Sequence, residues 1–188
     1  SYILNQDTLT ANLYLTKFSR LIRLFLDSSR SKFIPLSEEI NLLTLYIELE
    51  RIRFDNKFEF EILFEGHVNK NIEIPTMILQ PFIENAINHG LRYKLQKGLL
   101  TIKFHKEDNY LICTVEDNGV GRKNSEIIKD KPIEGYKSQG LKITAERLIT
   151  YNKINDANIV FSVRDRIQNP KNPNDEVGTV IEIRFPEI

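Results

Sequence analysis

The sequence holds one cysteine, one methionine and no tryptophan, and it has no apolar run near the length of a membrane span. With Cys113 alone, an internal disulfide framework and any multi-cysteine metal site are excluded, and a reducing cytosol fits. A spanning helix needs about 18 or more consecutive apolar residues, which no segment supplies, and no signal peptide is visible. An excess of either charge is also lacking. Lys plus Arg and Asp plus Glu number 26 each, so net charge points to neither a nucleic-acid surface nor a membrane surface. The partner has to be read from sites. At 188 residues the chain suffices for one ordinary domain of about 100–150 residues with an appendage.

What is present has a clear order. Ala11 to Ser28 reads as an amphipathic helix, with Leu15, Phe18, Leu21, Ile22, Phe25 and Leu26 at helical spacing. Asn5-Gln6-Asp7-Thr8 before it reads as a turn, and Tyr2-Ile3-Leu4 as the tail of a preceding helix, the remnant of a helical hairpin. The start at Ser1, without methionine and inside an apolar pattern, reads as a piece of a longer protein. A second helix runs from about Pro35 to Phe54, with Ser37 as its expected N-cap and Glu38 and Glu39 complementing the dipole. Its late charges, Glu48, Glu50, Arg51 and Arg53, read as a solvated end with intrahelical pairs.

The period then changes to two. Phe58, Phe60, Ile62 and Phe64 alternate with polar neighbours, as do Leu100, Ile102 and Phe104, and then Leu111, Cys113 and Val115 across a turn at Glu107-Asp108-Asn109. Between the first strand and that hairpin lies a helix expected to begin near Pro75, to kink or break at Pro81 and to end at Gly90. Arg122 to Gln139 is polar and aperiodic, long enough for a lid. A helix from Leu141 to about Asn152, a strand over 159–163, an exposed loop over 168–176 and a last strand over 178–185 follow. The expected fold class is α+β: a two-layer α/β sandwich, its sheet mostly antiparallel with helices on one face, preceded by a helical arm.

Two stretches answer each other, Pro81-Phe82-Ile83-Glu84-Asn85-Ala86-Ile87-Asn88-His89-Gly90 and Asp117-Asn118-Gly119-Val120-Gly121. On a helix, Asn85 and His89 lie one turn apart with Asn88 beside them, opposite the apolar face of Leu79, Phe82, Ile83, Ala86 and Ile87. A polar stripe over a packed core implies a polar ligand, because buried polar groups need partners. An ATP site without a Walker loop would use an oxygen-bearing metal ligand, a carboxylate for the adenine amino group and glycines where backbone meets ligand. Asn85, Asp117 and the pair Gly119 and Gly121 supply these. Gly140 before Leu141 would open a helix toward phosphate.

Glu84-Asn85-Ala86-Ile87-Asn88-His89, Asp117-Asn118-Gly119-Val120-Gly121, Gly140-Leu141 and Gly178-Thr179 together resemble the N, G1 and G2 boxes and the terminal Gly-Thr of the GHKL ATP-binding superfamily, whose Bergerat-type fold is the sandwich expected above. Phe18-Ser19-Arg20-Leu21-Ile22-Arg23, Pro35-Leu36-Ser37-Glu38-Glu39, the run Tyr46 to Phe54, Ile74-Pro75 and Leu79-Gln80-Pro81 resemble the LytS-type sensor histidine kinases, so the likeness covers nearly the whole chain. The resemblance implies residues 1–34 as part of a dimerisation and phosphotransfer hairpin, and 35–188 as an ATP-binding catalytic domain with a helical lead-in over 35–54. It implies ATP and magnesium as cofactors, with Asn85 on the metal. Asp117 would receive the adenine amino group, Gly119 and Gly121 would shape the adenine pocket, and Asn88 and His89 would lie beside the nucleotide. Thr179 would support Asp117, Gly140 and Leu141 would hinge the lid, and Lys142 or Arg122 would meet phosphate. It implies as partners a second copy in the full-length protein and a response regulator of LytTR type, with no direct nucleic-acid contact. It implies the cytoplasmic part of a bacterial inner-membrane protein, reaching the membrane only through an N-terminal region outside this chain.

Departures from the family pattern matter. Ser138 stands at the first G2 glycine, Asn88 at the usual N-box lysine, and Pro81 where hydrolysing members carry a glutamate base, so efficient ATP hydrolysis is not expected. The family's acceptor, a histidine in an Asn-Pro-His-Phe motif, is absent: His67, His89 and His105 do not match it. A histidine kinase whose acceptor lies upstream is the first reading. A degenerate nucleotide-binding scaffold without phosphotransfer is the alternative.

Overall fold

The computed structural model describes residues 2–121, 139–155, 157–166 and 177–186. The chain divides into two compact units, Ser1–Asn56 with Lys70–Leu79, and Lys57–Asn69 with Gln80–Ile188. In the first, helix α1 (Tyr2–Ser28) is unbroken, which corrects the expected turn at Asn5–Thr8 and the separate helical tail before it. The polar residues there cost at most about 0.7 kcal/mol each relative to alanine in a helix, and no glycine or proline interrupts them. Helix α2 (Leu36–Arg53) follows strand β1 (Phe33–Pro35). Its cap is Pro35, not Ser37, and no side chain caps it. The N–H groups of Leu36 and Ser37 instead donate to the carbonyls of Ile72 and Lys70, 2.8 and 2.9 Å away. These orphan donors of a helix start are met by backbone distant in sequence.

The two glutamates at that start do more than face the dipole. Glu38 accepts from the Ser28 hydroxyl at 2.6 Å, tying the end of α1 to the start of α2. Glu39 is buried and accepts the N–H groups of Met77 at 2.9 Å and Leu79 at 3.1 Å. Met77 has φ of 60°, a left-handed conformation disfavoured for a side chain of its kind, and the carboxylate holds the chain in that bend. Burial lifts the Glu39 carboxyl from 4.5 to about 7, against the pull of those two hydrogen bonds. Of the late α2 charges, Arg53 pairs with Glu50 within the helix, while Glu48 pairs with Lys17 of α1. Strand β3 (Glu73–Pro75) pairs antiparallel with β1, so Pro75 ends a strand and does not open the next helix.

In the second unit, strands β2 (Phe58–Glu65), β4 (Gly98–Glu107), β5 (Tyr110–Asp117), β6 (Val160–Asp165) and β7 (Thr179–Pro186) form one sheet in the order β2-β4-β5-β7-β6. Only β2 and β4 run parallel; the other pairings are antiparallel, and the α+β architecture is as expected. Helix α3 (Gln80–Asn85) passes into a π turn (Ala86–Gly90) and a short 3₁₀ turn (Leu91–Tyr93). The helix expected from Pro75 with a kink or break at Pro81 instead begins at Gln80, and Pro81 is its second residue, where a missing N–H costs nothing. Helix α4 (Gln139–Asn155) begins two residues before Leu141.

The core lies between the helices and one sheet face. Leu100, Ile102 and Phe104 of β4, Leu111, Cys113 and Val115 of β5, and Ile181, Ile183 and Phe185 of β7 are buried there with Phe82, Ile83, Ile87 and Leu91. Phe82 meets the Phe161 ring of β6 edge-on, at 5.1 Å between centroids. Residues paired across neighbouring strands share a face, so the row Ile102, Val115, Ile181 is apolar. The next buried-face row along β5 is Leu100, Asp117, Thr179, which places a carboxyl group in the core's final row.

Candidate functional site

Asp117 is 3% exposed, and the site is built around it. Its Oδ1 accepts the N–H of Gly119 at 2.9 Å, and both the hydroxyl and the backbone N–H of Thr179 donate to the carboxylate. Burial raises the carboxyl from 3.8 to about 6; the Gly119 and Thr179 hydrogen bonds pull the other way, and the charge of Glu116 adds to the rise. A group raised yet held by three donors is kept ionised at neutral pH at a fixed place.

Three backbones crowd it. A Cβ on Gly90 would lie 2.5 Å from Asp117 Oδ1, one on Gly119 would lie 2.3 Å from the Gly90 carbonyl carbon, and one on Gly178 would lie 1.9 Å from the Asp117 carbonyl oxygen. The N–H of Val120 donates to the Gly90 carbonyl at 3.2 Å, so the loop after β5 is stitched to the π turn. Gly121 has φ of +75°, which only glycine takes without strain, and a Cβ there would strike Val177. Asn118 continues the strand pairing: its Oδ1 accepts from Leu99 N–H at 2.7 Å and its carbonyl accepts from Lys94 Nζ at 2.9 Å.

The two stretches singled out in the sequence are thus brought against each other. In the α3–π segment Phe82, Ile83, Ala86 and Ile87 are buried, while Glu84, Asn85, Asn88 and His89 are half-buried, as the polar stripe requires. Asn85 closes α3, and its Oδ1 is buried yet accepts no hydrogen bond among the described residues. Insertions of π geometry are frequent at functional sites, and here the extra residue ends on Gly90, whose lack of a side chain admits the Asp117 carboxylate. Gly90 entered the sequence reading only as a helix terminator, and Lys94 not at all. The cue for Gly90 was its place next to the polar stripe; Lys94 had none. Gly140, Leu141 and Lys142 lie in the first turns of α4. Arg122, Ser138 and the lid expected over 122–139, apart from Gln139, lie outside the described residues, as do 168–176.

The sequence and the fold resemble those of known proteins. A family model for histidine kinases matches residues 1–58. Over 140 residues the chain is 33% identical to the sensor protein LytS of Oceanobacillus iheyensis, an alignment that takes in 73% of this chain and 24% of that protein. LytS of Bacillus subtilis is 35% identical over 107 residues, 57% of this chain and 18% of that protein. The chain belongs to the histidine kinase family. Among solved structures, the catalytic domain of histidine kinase ThkA superposes with a TM-score of 0.54 over 82% of this chain and 94% of that one, at 16% identity, a likeness of fold. The histidine kinase chain described here spans a quarter or less of the length of these LytS relatives. No helix among its described residues is long and apolar enough to cross a membrane.

Proposed function

We propose that the chain is the catalytic region of a two-component sensor histidine kinase, which binds ATP with magnesium and delivers the γ-phosphoryl group to a histidine of the intact protein other than His67, His89 and His105. In this reading Asp117 accepts the adenine amino group, Gly119 and Gly121 let backbone approach the base, and Thr179 holds Asp117 ionised. His89 and Asn88 flank the nucleotide, Gly140 and Leu141 hinge the segment over the phosphates, and Lys142 or Arg122 meets their charge. Asn85 holds magnesium, which when bound neutralises charge on the phosphates. The protein's own part is to orient donor and acceptor in line and to exclude water, since phosphoryl transfer depends mainly on positioning and charge stabilisation. The phosphoryl group then passes to an aspartate of a response regulator, of LytTR type by resemblance. Exposed apolar side chains on α1, among them Phe18, Ile22 and Leu26, support pairing with a second copy.

The observation that carries this reading is the orphaned Oδ1 of Asn85. Buried acceptors are almost always satisfied, and leaving one unmet costs about 1–3 kcal/mol. Magnesium binds through one or two protein oxygens plus substrate phosphates, so a carboxamide oxygen held open beside a nucleotide cradle suits it. The test is calorimetric titration of wild type and Asn85→Ala with a non-hydrolysable ATP analogue, with and without magnesium. Magnesium-dependent affinity should disappear in the variant while its melting temperature stays level or rises. Equal magnesium-dependent binding by both proteins would refute the assignment.

A further inference from the structure

At the far side of the Asp117 cradle stands a residue that the nucleotide reading leaves unused. Arg166 follows the last residue of β6, and its two polar ends reach different strands. Its backbone N–H donates to the Gly178 carbonyl at 3.0 Å, extending the β6–β7 pairing one step beyond Asp165 and Thr179. Its Nε donates to Glu116 Oε1 at 2.7 Å on β5, so the side chain crosses β7 to reach the strand beyond. Glu116 precedes Asp117, and successive strand residues face opposite sides of a sheet. The ion pair therefore lies on the outer face, behind the carboxylate that the inner face buries.

We propose that Arg166 is a positioning residue for the nucleotide site, neutralising Glu116 and fixing the Gly178–Thr179 backbone so that Asp117 stays ionised and in place; this rests on Asp117 receiving the base. Gly178 has no slack, since a Cβ there would sit 1.9 Å from the Asp117 carbonyl oxygen, and Thr179 supplies two of the donors to the carboxylate. Loosening the end of β6 therefore loosens both. The charge argument points the same way: Glu116 disfavours ionisation of Asp117, and a guanidinium bound to Glu116 offsets that field. The π turn packed on β5 carries His89, and Lys94 Nζ meets the carbonyl of Asn118, the residue after Asp117. The register partners Leu100 and Thr179 carry no charge.

The experiment follows the Asp117 carboxyl by carbon-13 resonance titration in the 188-residue chain, for wild type, Arg166→Ala, Arg166→Lys, Glu116→Gln and the Arg166→Ala/Glu116→Gln double variant. Affinity for a non-hydrolysable ATP analogue with magnesium is measured on the same proteins at pH 6. In Arg166→Ala the titration midpoint should rise by up to about half a pH unit, since Glu116, acting from the opposite sheet face, is the smallest of the causes bearing on Asp117. Arg166→Lys should stay near wild type, and the double variant should return to or below it. A rise of that size takes the ionised fraction at pH 6 from about one half to about one quarter, so affinity in Arg166→Ala should weaken roughly two-fold. A midpoint unmoved in Arg166→Ala, or a double variant no different from it, overturns the proposal. Should Arg166→Ala fail to fold, Glu116→Gln alone decides, with a lowered midpoint expected and an unchanged one overturning. No binding by wild type would instead refute the nucleotide reading, and the carboxyl titration, which needs no nucleotide, would still decide whether Arg166 acts on Asp117.

Discussion

Replacing Glu39 by glutamine removes a charge from the core but leaves one acceptor for two N–H groups, those of Met77 and Leu79. One donor then faces an amide NH₂, and a buried donor left unmet costs about 1–3 kcal/mol. The wild-type carboxyl carries its own penalty. Its midpoint is raised from 4.5 to about 7, so across that window the folded chain keeps a proton that the unfolded chain has released. Stability from this group is therefore full below pH 4.5 and falls as pH rises to 7, at about 1.4 kcal/mol per unit, reaching a loss of about 3 kcal/mol. Asp117 acts in the same direction over its own window, from 3.8 to about 6, and is common to both proteins. Urea denaturation at pH 5 and pH 8, followed through the α2 amide resonances, isolates the difference. The wild type should lose about 2–3 kcal/mol more than Glu39→Gln between those two values. Amide exchange at Met77 and Leu79 should quicken in the variant at pH 5. Equal losses in the two proteins would mean that Glu39 is not the buried, proton-holding clamp described here.

Other outcomes follow from the same geometry. Gly119→Ala drives a methyl group into the Gly90 backbone and should cost about 1–3 kcal/mol in denaturant unfolding, as overpacking does, with nucleotide affinity lost as well. Thr179→Val removes a donor that favours the ionised Asp117, so the midpoint should climb above about 6; because the lost bond is to the charged form, the destabilisation should be larger at pH 8 than at pH 5 in paired melts. Lys17→Ala breaks a partly exposed pair with Glu48 and should change stability by no more than about 1 kcal/mol; a larger loss on thermal melting would show that the α1–α2 contact depends on it.

The sheet and the polar stripe were legible because both are periodic. Alternation located β2, β4 and β5, and the same alternation, carried one step past Val115, already puts Asp117 on the buried face. The helix starts were misread for a common reason. Pro75 and Ser37 carry the local marks of a helix N-terminus, but Pro75 is held in β3 by pairing with β1, and α2 already begins at Leu36, where the N–H groups of Leu36 and of Ser37 itself donate to Ile72 and Lys70. Local rules cannot register a partner more than thirty residues away.

By itself, then, the chain's pattern determined which residues are apolar, where the period changes from helical to alternating, and that Asn85, Asn88 and His89 share a polar stripe opposite an apolar face. These are properties of neighbours in sequence, set by side-chain direction and backbone freedom. Only the tertiary structure decided that Gly90 and Gly178 must lack side chains, that Glu39 clamps Met77 and Leu79, and that Arg166 stands behind Asp117 through Glu116. Each depends on atoms from separate strands or loops meeting within about 3 Å, the range in which excluded volume and hydrogen bonding act.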